Sequence, residues 1–101
     1  MVKPTITIGG VTHEIKTLTG KDWRILGEFL NADIQPKHVD YIEKHAEFIA
    51  NFFDGVTADD VLNLPIGDIM PLYSDIQRYF TQSISTKLEE SSKNVPTDGA
   101  A

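Results

Sequence analysis

Cysteine is absent from all 101 residues, which excludes a disulfide framework and any thiolate-bound metal and fits an intracellular home. No apolar run approaches the ~20 residues that cross a bilayer, and Met1-Val2-Lys3-Pro4 carries neither a hydrophobic signal core nor a cleavage pattern, so a cytoplasmic protein is expected. Basic residues are missing entirely between Lys44 and Arg78, a span that holds Glu47, Asp54, Asp59, Asp60, Asp68 and Asp75. With 9 Lys+Arg against 15 Asp+Glu, a formal net charge of −6, that field repels phosphate backbones. Neither nucleic acid nor a membrane is an expected partner. The acids keep a small domain soluble and favour basic or neutral protein surfaces.

The constellations that catalysis needs are missing as well. His38 and His45 stand two helical turns apart, about 10 Å of rise, too far for two ligands on one metal, and His13 lies in a separate segment. His45 reads as a satisfied core or boundary histidine. Asp54, Asp59 and Asp60 flank a glycine without the alternating oxygens and closing Glu of a calcium loop, and capping is their expected work. Gly9-Gly10 precedes a strand with no Lys-Ser/Thr after it, which makes it a turn and not a phosphate cradle. Ser83, Ser85, Ser91 and Ser92 occupy a helix end and a tail, without a nucleophile elbow. No enzyme activity, cofactor or metal is expected.

What the chain does have is a helix-forming centre with an unusually broad apolar face. From His38 to Asp54, Val39, Ile42, Ala46, Ile49 and Phe53 form one stripe at 100° per residue, and Tyr41, His45, Phe48 and Phe52 form a second beside it. Together they cover about half the circumference, more than the ~100° of an ordinary surface helix. Such a helix must be covered from two sides, by its own chain or by another protein.

Around it the chain divides readily. Ile6, Ile8, Val11 and Ile15 alternate about Gly9-Gly10 and predict a hairpin over about 5–15 that needs a helical layer or further strands to pack on. Thr19 with Asp22 has capping-box spacing and opens a helix over about 20–31, with Trp23, Leu26 and Leu30 as its main stripe. Pro36 or Lys37 begins the central helix, about 37–54, and Gly55 ends it. Thr57 with Asp60 repeats the box before a short helix over about 58–64, which Pro65 stops. Asp68 is expected to cap a last helix over about 68–88, with Pro71 in its first turn and Ile69, Leu72, Tyr73, Ile76, Tyr79, Phe80 and Ile84 on one side. Residues 89–101 read as a disordered tail. The expected fold is α+β, mainly α: one globular domain over 1–88 with an N-terminal β-hairpin packed against a small bundle of three to four helices.

Function is then expected in protein recognition. Tyr41, Phe48 and Phe52 on the second stripe either complete an intramolecular core or, with Tyr73 and Tyr79 of the last helix, form a protein interface rimmed by acids. So broad an apolar face also invites self-association.

These residues form a recognisable order. The hairpin Ile6-x-Ile8-Gly9-Gly10-x-x-x-x-Ile15 leads through Leu18-Thr19-x-x-Asp22-Trp23 into a first helix. Later come Ile42-Glu43-x-His45-x-Glu47-Phe48-Ile49-Ala50-x-Phe52-Phe53, then Gly55-Val56-Thr57-x-Asp59-Asp60-Val61-Leu62, then Leu64-Pro65-x-x-Asp68-Ile69. Over residues 5 to 88 this resembles the tail assembly chaperones of long-tailed phages and prophages of Gram-positive bacteria. The motifs are folding signals and not catalytic ones. The resemblance implies a non-enzymatic, mostly helical protein of the host bacterial cytoplasm. Such a protein binds the aggregation-prone tape measure protein, recruits tail tube subunits and leaves before the tail is complete. It also implies that a longer, frameshifted form, joined after Leu88, contacts the tail tube protein. A structural tail or connector component of the virion is the alternative reading. A small DNA-binding regulator is disfavoured by the charge and by the lack of Arg and Lys on any recognition helix.

Overall fold

The computed structural model describes residues 3–94, with side chains to residue 85. Strands β1 (Thr5–Ile8) and β2 (Val11–Glu14) form an antiparallel hairpin in which Ile8 faces Val11 and Thr5 faces Glu14. Gly9 and Gly10 have φ of 55° and 81°. Positive φ at both central residues is what a two-residue type I′ turn demands. One face of the hairpin carries Pro4, Ile6 and Ile15, all buried, and the other carries Thr5, Thr7, Thr12 and Glu14, all exposed. Val11 shares the inner face but sits at the tip and is 58% exposed, so it does not reach the helical layer as expected.

Helix α1 (Gly20–Asn31) matches its expected span, but its buried face is turned. Asp22 and Leu26 are buried, Ile25 and Phe29 are half-buried, and Trp23 and Leu30 are exposed. Asp22 can sit inward because its carboxylate is satisfied by neighbouring groups. It accepts from the Thr19 amide at 2.8 Å and the Thr19 hydroxyl at 3.1 Å, and Lys16 Nζ lies 3.4 Å away. This knot ties the hairpin's exit to the helix start. Asp22→Ala should cost about 2 kcal/mol, the loss of hydrogen bonds to a charged acceptor, read as a lower urea midpoint at unchanged m. Lys16→Met should cost under ~1 kcal/mol, because that ammonium is already partly in water.

The central helix is shorter than expected. Helix α2 spans Tyr41–Ala50, and residues 36–40 form turns in which His38 N–H donates to Gln35 O and Tyr41 N–H to His38 O. Val39 therefore leaves the apolar stripe and is fully exposed. Past Asn51 the chain tightens, with Phe52 N–H bonding Ile49 O and Phe53 N–H bonding Ala50 O. The Phe52 carbonyl, which a longer helix would use, accepts instead from the Lys16 amide at 2.9 Å. The hairpin thus docks onto the end of α2, and both phenylalanines stay buried. Gly55, with φ of 79°, takes the left-handed turn that follows.

Helix α3 (Ala58–Leu62) starts at a complete capping box: Asp60 N–H donates to Thr57 Oγ1 at 3.1 Å and Thr57 N–H to Asp60 Oδ2 at 2.9 Å. It ends two residues before the expected boundary in a turn that leads to Pro65. Helix α4 runs from Ile66 to Asn94 and begins before Asp68, whose own amide bonds the Pro65 carbonyl at 2.8 Å. Asp68 is therefore in the first turn and is not the cap. Pro71 falls in the second turn, and its missing amide hydrogen is tolerated because that side of the helix, with Gly67, faces outward. The α4 backbone continues past Leu88, so residues 89–94 of the expected tail are helical, and the remainder, 95–101, lies outside the described residues.

Ile6, Ile15, Leu26, Ala46, Ile49, Phe52, Phe53, Val61, Ile69, Ile76 and Phe80 make one core to which every element contributes except β2, whose end supplies Ile15. The fold is an α+β arrangement, mainly α, with the N-terminal hairpin followed by four helices.

Candidate functional site

The second stripe of α2 builds an aromatic box. His45, one turn after Tyr41, has its Nδ1 2.7 Å from the Tyr41 carbonyl. A carbonyl only accepts, so Nδ1 carries the hydrogen. The imidazole ring lies 4.3 Å from the Tyr41 ring and meets Phe29 and Tyr73 edge-on at 4.9 and 4.7 Å. Phe29 stacks on Phe48 at 4.5 Å, and Phe48 meets Phe52 at 4.9 Å and Tyr73 at 5.5 Å. Edge-to-face and offset geometries of this kind add about 0.5–1.5 kcal/mol per pair beyond the buried area. The box clamps α1, α2 and α4 together, and His45 is part of the packing.

Of the five candidate interface residues, Phe48 and Phe52 are therefore interior, 3% and 0% exposed. Tyr41, Tyr73 and Tyr79 are half-buried. Tyr41 and Tyr73 come together around His45, whereas Tyr79 lies some 240° around α4 from Tyr73 and joins a different side. Burial, with a smaller contribution from the neighbouring Tyr41, pushes the Tyr73 phenol above its ordinary value of 10.0. An acid whose folded pKa is raised contributes stability that is complete below the unfolded value and is lost as pH climbs through the folded one. Absorbance titration of the three tyrosines should therefore show one ionising late. Tyr73→Phe should remove that late step and flatten the loss of stability above pH 10.0.

The exposed apolar surface lies elsewhere. Trp23 is 54% and Leu30 52% exposed, and seven residues at 100° put them within about 20° of each other on one shoulder of α1. Gly27 lies between them with nothing within 4 Å of where a Cβ would stand, so the shoulder is notched. The Trp23 ring is 6.0 Å from Phe80 of α4, and Ile84, one turn further along α4, is exposed too. Sequence periodicity alone places Trp23 and Leu30 in the core, and the structure turns both outward. The signal that would have placed them outside is the capping box, because an Asp22 held inward rotates the buried face away from both.

Three ion pairs lie along single helices: Arg24 with Glu28 at 3.9 Å, Lys44 with Glu47 at 3.6 Å and Arg78 with Asp75 at 3.1 Å. Exposed pairs of this spacing contribute little to stability. Among the described residues no three of His, Cys, Asp and Glu come together as a metal site, and no helix is long and apolar enough to cross a membrane. No known protein family, curated protein or solved structure matches the chain.

Proposed function

We propose that this chain is a tail assembly chaperone of a long-tailed phage or prophage. It binds the tape measure protein in the host cytoplasm, keeps it soluble and helps bring tail tube subunits to it, in part through a longer frameshifted form. The observation that carries the reading is the α1 shoulder, where two large apolar side chains, Trp23 and Leu30, stand half in water on one helix face. Tryptophan is seldom this exposed without a partner, and an amphipathic helix laid across such a shoulder recognises it through anchors at helical spacing. The ordered folding motifs from Ile6 to Ile69 and the acidic surface support the same reading, because an escort must stay soluble while it offers an apolar face.

Co-expression tests it. A tape measure fragment that precipitates alone should stay in the supernatant and co-purify with this chain. Equal precipitation with and without it would reject the proposal. Mass spectrometry of purified particles should find the chain absent, and its presence there at a structural copy number would favour a virion component instead.

A further inference from the structure

A separate groove runs between β1 and α4, a cavity of about 320 Å³ with residues 5–7 along one wall and Asp68, Pro71, Leu72 and Asp75 along the other. No β2 residue lines it, so it lies on the side of β1 away from its partner strand. The hairpin register decides which backbone groups face that way. Ile8 and Val11 flank the two-residue turn as a hydrogen-bonded pair, Ile15 N–H bonds Pro4 O at 3.1 Å, and the hydroxyls of Thr7 and Thr12 meet at 3.1 Å. Bonded and non-bonded pairs alternate, which makes Thr5 and Thr7 non-bonded positions whose N–H and C=O groups point away from β2. Neither residue has a backbone hydrogen bond outside the hairpin among the described residues. An open edge of this kind is a template for another strand.

The facing wall selects what that strand carries. Asp68, Leu72 and Asp75 recur at steps of four and three and so share one stripe of α4. The Asp68 carboxylate has no hydrogen-bond or ion-pair partner among the described residues, and Asp75 holds only the exposed, weak pair with Arg78. Leu72 and Pro71 give the groove an apolar lining between the acids. The carboxylates are about 10 Å of helix rise apart. Two cationic side chains at alternate positions of a strand start roughly 7 Å apart, and the length of a lysine spans the rest.

We infer that β1 accepts an extended, basic segment of a partner protein, which pairs with Thr5 and Thr7 as a third strand and directs alternate Lys or Arg side chains to Asp68 and Asp75. This strand-accepting edge is distinct from the α1 shoulder and does not depend on the escort role.

The probe is a short peptide alternating valine with lysine, titrated into the full chain by 15N NMR beside two controls: the same peptide with glutamate for lysine, and one N-methylated on the edge that would pair. The lysine peptide should move the Thr5 and Thr7 amides first, and both controls should leave them in place. Asp68→Asn with Asp75→Asn should weaken the lysine peptide about tenfold, and binding should fall as salt rises. Thr7→Pro removes an outward amide that the hairpin ladder does not use, so it should keep the native spectrum and block binding. The double asparagine variant keeps the test decisive if Thr7→Pro fails to fold. No movement of the Thr5 and Thr7 amides at millimolar peptide, equal binding by the N-methylated copy, or no response to the asparagine substitutions would overturn the inference.

Discussion

Replacing Phe52 with alanine should remove a large share of the domain's stability. The side chain is fully buried, with its ring 4.9 Å from Phe48 and 5.5 Å from Phe80, and it stands where the end of α2, the hairpin exit and α4 meet. Phe→Ala at such a site costs about 3–5 kcal/mol in transfer free energy and residual cavity. A domain of this size has roughly 5–15 kcal/mol in total. The same residue's carbonyl receives the Lys16 amide, so a collapse that shifts the Phe52 backbone also loosens the hairpin. In urea the midpoint should fall by roughly 2 M at an m-value near 2 kcal/mol/M. Phe52→Leu should recover most of the loss. A midpoint within ~0.3 M of the parent for Phe52→Ala would mean that Phe52 is not the junction of the core.

Much of this arrangement was legible in the chain itself, for identifiable reasons. Gly9-Gly10 between alternating β-branched residues has one low-energy solution, and the hairpin follows it. Thr57 and Asp60 form the box their spacing announces, and Thr19 with Asp22 does the same. These are local signals decided within a few residues. What misled was long-range. Val39 fits the α2 period, yet turns after Pro36 take over before the helix can begin. Phe52 and Phe53 fit it too, but the Phe52 carbonyl is claimed by the Lys16 amide at the hairpin exit, far away in sequence. Periodicity identifies an apolar stripe without saying where competing hydrogen bonds will cut it.

The candidate site shows the same division. Phe48 and Phe52 were recognisable as belonging to a broad face, but only tertiary packing decides that Phe29 and Tyr73 cover Phe48. On α1 a rule that counts Asp as polar centres the buried face near Trp23 and Leu30. The observed face is centred on Asp22, Leu26 and Phe29, because the capping carboxylate is held by Thr19 and Lys16. The β1 edge could not be seen at all from the sequence. Which strand edge comes to face the α4 carboxylates is set by tertiary packing, and no local motif encodes that.

Trp23→Ala should then separate binding from folding. Half of this side chain is already in water, and its principal aromatic contact is a tilted approach to Phe80 at 6.0 Å. Its removal should cost no more than about 1 kcal/mol of stability, within the range for partly exposed sites. At an interface, a large aromatic anchor that becomes fully desolvated is worth at least about 2 kcal/mol, close to thirtyfold in affinity. Trp23→Ala should therefore retain the parent's circular dichroism and nearly its urea midpoint while it no longer keeps the tape measure fragment in the supernatant. Leu30→Glu, on the same shoulder, should act in the same direction by placing a carboxylate against the partner's apolar face. Val39→Ala supplies the control, because Val39 is the most exposed large apolar side chain described and lies off the shoulder in the turns before α2. If all three variants hold the fragment equally well, apolar exposure on α1 has no part in escort. If Trp23→Ala and Leu30→Glu fail while Val39→Ala does not, the binding face is the one that the inward turn of Asp22 leaves open to the solvent.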